Sequence, residues 1–404
     1  MIFQTLDDKT ECVGLYANQR LHFSPGDFPP NLTATWNYVP YLDAQDIEYA
    51  SLYLEGKPVE DVIPEYLRDD WEDVNGRIRS FKRSLRLAQV DMNQNCFFDL
   101  VPNRFLCDWC EVKNSITEHV LATVPRPERY TFYKEVSKMI SEIAHREVKI
   151  DRRLVSSFGT SPKFSNQAAR ILASAPRVCY NQFGTKTGRL TTRPATFPVL
   201  TLPKVFRQAI APQNDYFLEL DFNGAEVRTL LGVLEKDQPS DDIHTFHLTQ
   251  IFKDLSTRSQ AKEVFFAWLY GAKNVASSHQ LSQLDAYYQK ASVLSQCYHD
   301  GVVTTPFKKK ICDVTPHHAL NYIIQSTTAE LCLKQFLKLN CLLSRTAFSR
   351  VAFLIHDAIV IDMKKEDDHL LDDLLYLMSS TTFGNFQVNV KKGTNLGEMI
   401  PWTK

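Results

Sequence analysis

Tyr216-Phe217-Leu218-Glu219-Leu220-Asp221-Phe222-Asn223-Gly224-Ala225-Glu226-Val227-Arg228 is the stretch that decides how this chain is read. Its first seven residues form an apolar, strand-like run that reaches Asp221. The chain then turns into a helix bearing Glu226 and Arg228. A second run, Val351-Ala352-Phe353-Leu354-Ile355-His356-Asp357-Ala358-Ile359-Val360-Ile361-Asp362, sets Asp357 in the middle of an apolar hairpin-like segment beside His356. A carboxylate in such surroundings is costly unless it is paired or binds a cation. Two of them brought together repel unless divalent metal neutralises them, which is the arrangement of two-metal phosphoryl transfer. Taken singly, each Asp reads equally well as a strand-end cap or a salt-bridge partner.

Between these strands lies Arg258-Ser259-Gln260-Ala261-Lys262-Glu263-Val264-Phe265-Phe266-Ala267-Trp268-Leu269-Tyr270-Gly271. Arg258, Lys262, Phe266 and Tyr270 recur every four residues, so they lie along one drifting helix face. Gly271 is a suitable place for the helix to end. Two cations followed by two aromatic rings match a nucleoside triphosphate, with phosphates at the cations and the base against the rings. An amphipathic surface helix with a core-facing aromatic end is the alternative. From Cys179 onward strands alternate with long helical runs, notably 257–270 and 316–340, which indicates an α/β or α+β unit.

The 404 residues are enough for two or three compact units, and 44% hydrophobic with 23% charged residues fits a globular enzyme. A net charge of −1 announces no global affinity for nucleic acid, but Arg77, Arg79, Lys82, Arg83 and Arg86 form one basic cluster and Lys308, Lys309 and Lys310 another. Nine scattered cysteines indicate free thiols in a reducing compartment. The first residues lack a signal peptide's basic and apolar regions, and no apolar run is long enough to span a bilayer. These features give a cytoplasmic protein with no membrane partner. Residues 1–24 alternate as a hairpin with its turn near Asn18-Gln19-Arg20, 43–86 are mostly helical and strongly charged, and 95–122 are richer in apolar and aromatic residues. Pro125-Arg126-Pro127 marks a boundary, after which one amphipathic helix runs into a short extended segment.

The helix pattern resembles motif B on the fingers of family A DNA polymerases, the DNA polymerase I type. Other segments resemble that family's elements in the right order. Thr185-Lys186-Thr187-Gly188-Arg189-Leu190 resembles its TGRL element, the Asp221–Arg228 segment its motif A, and Asp241–Leu248 the following segment, with His244. Leu320–Leu331 carries Asn321 and Gln325 at the spacing of a template-contacting helix. Ile355–Val360 resembles motif C, and Phe386–Met399 the closing strand. The resemblance implies an α+β right-hand polymerase with antiparallel-sheet palm and helical fingers over 179–404, a reduced thumb or connector over 126–178, and a mixed α/β domain over 1–125. It implies two Mg²⁺ ions held by Asp221, Asp357 and the backbone carbonyl of Phe222. Arg258, Lys262 and His244 would bind the triphosphate, with Lys262 protonating the leaving group. Phe266, Tyr270 and Glu226 would shape the nucleotide site and exclude a 2′-hydroxyl. Arg189, Asn321, Gln325 and His356 would meet primer-template DNA, and deoxynucleoside triphosphates would be the substrates.

The sequence also departs from the family. Ala358 stands where motif C usually has Glu, and Phe222-Asn223-Gly224 replace the common Tyr-Ser-Gln of motif A. The short segment before Arg189 leaves either a thumb cut to a stub or one supplied by helices within 43–122, and a processivity or exonuclease partner protein, as for a phage replicon, is an expectation. A proofreading nuclease needs a D-x-E strand, and Asp7, Asp8 and Glu11 have the wrong spacing. Cys107-Asp108-Trp109-Cys110, near Cys96 and His119, could ligate zinc but reads more simply as core packing. A single-subunit RNA polymerase and a catalytically degenerate replication scaffold are the rival functions.

Overall fold

Period-two alternation at the start of the chain folds as an antiparallel meander, β1 (Phe3–Asp7), β2 (Cys12–Ala17) and β3 (Arg20–His22), in that spatial order. The β2–β3 turn is the expected one. Asn18 and Gln19 both have positive φ, 50° and 59°, as a two-residue turn that follows strand twist requires. The computed structural model describes the chain except residues 8–11, 43–45, 93, 253, 272–275 and 403–404. It divides into two units, Met1–Glu147 and Val148–Lys404.

In the first unit, the long helix expected within 43–86 begins only at Arg68, as α1 (Arg68–Leu87). Pro58 and Pro64, which lack an amide N–H, instead precede short 3₁₀ turns at Val59–Asp61 and Glu65–Leu67. α1 packs Val74 against Phe105, Leu106, Trp109 and Cys110 of α2 (Asn103–Thr123), with Leu6 and Tyr16 of the meander in the same cluster. Pro125-Arg126-Pro127 lies inside this unit, between α2 and α3 (Tyr130–Ala144), and the extended segment after α3 is Lys149–Ile150. Cys110 is fully buried in the core, and burial pushes the Cys107 thiol up. Among the described residues no group of three or more His, Cys, Asp or Glu is arranged to hold a metal.

The second unit is organised by the opening strand, β4 (Tyr216–Phe222), in which every residue but Asp221 is buried. Helices α4 (Ala225–Val233), α5 (Ile243–Gln250), α6 (Arg258–Tyr270) and α7 (Pro316–Leu343) follow. Strands β5 (Arg350–Ile355), β6 (Ala358–Met363), β7 (Val388–Gly393) and β8 (Ile400–Pro401) complete a five-stranded sheet in the order β5-β6-β4-β7-β8. Every pairing is antiparallel. The apolar faces of the helices form one core, with Val227, Leu230, Ile243, Phe265, Trp268, Leu320, Ile323 and Ile324. Burying an aromatic side chain such as Phe265, with no exposed surface, contributes about 2 to 3 kcal/mol. That core fixes the angle at which α6 presents its other face. No helix of the described residues is long and apolar enough to cross a membrane.

Candidate active site

The carboxylates of the two apolar runs meet at one end of the sheet. Asp221 lies opposite Ala358 of β6 and Asn389 of β7 in the strand register. Asp357 occupies, with His356, the two-residue turn that joins Ile355 to Ala358. The turn puts His356 at φ 58°, a left-handed conformation costly for a residue with a Cβ and found at functional sites. Burial, then the charge of Asp357, then Glu219 push the Asp221 carboxyl up to about 6. Asp357 is raised as well, first by burial. Compensation is thin. Asn389 hydrogen-bonds Asp221, and Lys391 is committed to Glu219 at 2.5 Å. A half-buried, mutually repelling pair of hard oxygen donors, with Phe222 also lining the cavity, suits divalent cations of the Mg²⁺ type.

Ala358 is buried and paired on both sides, so it places only a methyl group where a third carboxylate could stand. Asp362 does not replace it. It lies opposite Phe217, four residues along β4 from Asp221, and accepts hydrogen bonds from the N–H groups of Gln213 and Asn214.

Facing these carboxylates is α6. Its N-terminus is fixed by a capping box between Thr257 and Gln260, and it ends at Gly271, φ 69°. A Cβ on Gly271 would come within 2.4 Å of the His317 ring, so only glycine fits. Arg258, Lys262, Phe266 and Tyr270 all line one cavity of about 380 Å³ together with Asp221, Asp357, Glu226, His244, Arg189 and His356. The Phe266 and Tyr270 rings stack at 5.6 Å and 12°, and the Lys262 ammonium lies 5.9 Å from the Phe266 centroid. The Tyr270 hydroxyl donates to Glu226 Oε2 at 2.7 Å, while Arg189 pairs with the other oxygen of Glu226. Burial and Glu226 push Tyr270 up to about 12, so it stays a hydrogen-bond donor. His244 is buried in the cavity wall, and burial and Arg258 push it down to about 4, leaving it neutral at pH 7. His356 is also pushed down, by burial, Arg189 and Arg207.

Two residues read from the sequence as DNA contacts lie on α7 outside the cavity lining. Asn321 and Gln325 do not line the cavity, whose α7 wall is Thr328, Ala329, Cys332, Leu333 and Phe336. Gln325 hydrogen-bonds Tyr270.

The structure adds residues that pattern reading passed over. Asp242 caps α5 by accepting from the N–H groups of His244 and Thr245, and it takes both Nε and Nη2 of Arg258 at 2.7 and 2.6 Å. Burial alone would raise Asp242, but Arg258, Asn223 and the Thr245 N–H outweigh it and hold its carboxyl well below the usual range. Asn223 donates to Asp242 at 2.8 Å and accepts from the Ile243 N–H. Gly224, φ 67°, is required because a Cβ would lie 2.4 Å from Ile243 Cγ2. Arg228 is fully buried and donates to the carbonyls of Asn223, Pro239 and Asp241 and to Gln387. It pins the loop carrying Asp242 and does not line the cavity. An N-cap signal, Asp242 ahead of Ile243-His244-Thr245, is readable in the sequence. Nothing local marks Asn389.

No protein-family model matches the sequence, and no curated protein matches it. Solved structures do. The chain is similar to the POL domain of Pol1 from M. smegmatis, solved in complex with DNA primer-template and dNTP. The TM-score is 0.58 at 13% identity, covering 87% of this chain and 81% of that one. The chain thus has a polymerase-like fold with mixed helices and antiparallel sheets. A match of that extent exceeds the second unit and reaches into the first, whereas the sequence motifs span only residues after 184.

Proposed function

We propose that this chain is a template-directed DNA polymerase of the family A type, adding deoxynucleotides to a primer 3′-hydroxyl. The observation that carries the proposal is the single cavity holding Asp221 and Asp357 with the Arg258–Lys262–Phe266–Tyr270 face of α6. In this reading the five-stranded sheet is the palm and α6 belongs to the fingers. The fold shared with a polymerase domain solved with primer-template and dNTP supports the choice of substrates.

Asp221, Asp357 and the Phe222 carbonyl would hold two Mg²⁺ ions, which when bound would activate the primer hydroxyl and stabilise the departing pyrophosphate. The chain's own groups do the rest. Arg258 and Lys262 bind the triphosphate as charge-assisted donors, and His244, neutral, contributes a hydrogen bond rather than a charge. Lys262 delivers a proton to the departing oxygen. Phe266 and Tyr270 form the wall beside the base. Each oxygen of Glu226 already accepts a bond, from Tyr270 or from Arg189, so a 2′-hydroxyl meets an occupied carboxylate with little room, and ribonucleotides are rejected by clash. Arg189 and His356 lie at the primer end, and Asn321 and Gln325 further along α7 meet the template–primer minor groove, where acceptors recur in every base pair.

Between Val148 and the Arg189 element only two short helices occur, Arg152–Phe158 and Ser165–Ala173. The proposed thumb is therefore small, and processivity depends on a partner. The N-terminal region is proposed to lack nuclease activity. Asp8 and Glu11 lie outside the described residues.

Primer extension by the purified chain with Mg²⁺ tests this reading. The expected result is addition of the template-complementary deoxynucleotide, no growth on ribonucleotides alone, and no trimming of a 3′-mismatched primer. Growth on ribonucleotides alone would identify an RNA polymerase. DNA binding without growth would favour the replication scaffold, whose support is Ala358.

A further inference from the structure

Arg258 does not enter the cavity as a free cation. Its Nε and Nη2 grip Asp242, whose two oxygens also take Asn223, the N–H groups of His244 and Thr245, and the Thr245 hydroxyl. Asn223 is two residues beyond Asp221, and Arg228 fixes the same loop through the Pro239 and Asp241 carbonyls. A covalently short, hydrogen-bonded path therefore joins the carboxylate strand to the first cation of α6. The guanidinium has five N–H donors in a rigid fork. Gripping one edge leaves the Nη1 donors for another anion, and the side chain stays half exposed at 51%.

We propose that Asp242 is a positioning residue, which orients Arg258 so that its Nη1 edge meets the phosphates of the incoming nucleotide. This rests on the triphosphate reading given above. A carboxylate saturated by six donors is a fixed anchor rather than a competitor for substrate, because phosphate need not displace it to reach the free edge. The cost of ordering a long arginine side chain is met before the nucleotide arrives, which is how preorganisation raises affinity.

The test measures calorimetric binding of inorganic tripolyphosphate to the full chain in EDTA, so that neither metal nor catalysis enters. Wild type should bind. Asp242→Asn keeps an oxygen to cap α5 but loses the charge that holds Arg258, and its Kd should rise about tenfold. Arg258→Lys keeps the charge on a half-exposed side chain but cannot be held by two bonds, so it should weaken binding to a similar degree. In an Arg258→Ala background, Asp242→Asn should add no further loss, since the carboxylate acts through the arginine. Primer extension by Asp242→Asn should show a raised KM for the nucleotide with kcat nearly unchanged. Wild-type affinity in either single variant overturns the proposal, and so do additive losses in the double variant, which would mark Asp242 as a structural cap only. Should Asp242→Asn fail to fold, Arg258→Lys alone decides. No binding by wild type would remove the triphosphate reading itself.

Discussion

At the end of the sheet, Asp221 and Asp357 are half-buried beside each other with Asn389 as the main relief, and the carboxyls are pushed up. Across the cavity, Asp242 is saturated by six donors, two of them from one edge of Arg258, and is held well below the carboxylate range. One wall stores electrostatic cost and the other has none left. The contrast separates two roles that a list of charged residues would merge. Charge left uncompensated by the fold marks where a ligand of opposite sign completes the site, whereas fully compensated charge marks fixed geometry.

The contrast breaks most visibly at Lys262. It shares Arg258's helix face but has no carboxylate partner among the described residues, only the Phe266 ring. It should therefore behave like the carboxylates, as a group waiting for substrate. Lys262→Ala should lower kcat/KM for nucleotide addition about 10²- to 10³-fold, read from single-nucleotide incorporation. A loss under threefold would merge it with the structural cations.

Glu226 lies on the border, buried yet satisfied by Tyr270 and Arg189. Glu226→Ala should shrink the preference for deoxy- over ribonucleotides by about 10- to 100-fold. Competition between the two sugars in one extension reaction measures it, and an unchanged ratio would place the sugar gate elsewhere.

Stability against pH sharpens the comparison without any substrate. Asp221 binds its proton more tightly folded, at about 6, than at the ordinary 3.8. Ionising it therefore costs the fold stability as pH rises through that interval. Metal-free Asp221→Asn should be more stable than wild type by about 2 to 3 kcal/mol at pH 7, and the gain should vanish only below the ordinary value of 3.8, by about pH 3. His244 and His247, pushed down to about 4 and about 3 by burial, act in the opposite sense. Their folded forms resist protonation, so both chains lose stability below about pH 6.5. Only the difference between the two chains isolates Asp221. Equal denaturation midpoints at pH 7 would show that the carboxylate is not under strain.

The smallest effect concerns Phe266. In the family this sequence resembles, phenylalanine at this position disfavours sugars lacking a 3′-hydroxyl. Phe266→Tyr should improve dideoxynucleotide incorporation about tenfold, and equal chain termination by both proteins would remove that parallel.

Periodicity made the second unit readable. The apolar runs became β4, β5 and β6, and the four-residue repeat put Arg258, Lys262, Phe266 and Tyr270 on one cavity wall. What stayed hidden depends on register and tertiary approach. Asn389 meets Asp221 only because β7 pairs with β4 in a register no local pattern announces. Asp242 declares itself as a cap, but not as the partner of a residue sixteen positions away. The first unit was less legible for a different reason. Its pattern suggests a mostly helical 43–86, and the prolines at 58 and 64 confine the long helix to Arg68 onward. The motif pattern also gave no hint that the likeness to a polymerase domain reaches into that unit.

In the proposed function, the uncompensated carboxylate pair is the catalytic metal site of a nucleotide-adding enzyme. Single-turnover incorporation with Mg²⁺, comparing wild type with Asp357→Ala on a matched primer-template, tests it most directly. The account predicts template-dependent addition by wild type and a loss of at least about 10³-fold in the variant, with the variant still folded. Addition by the variant at the wild-type rate would contradict it.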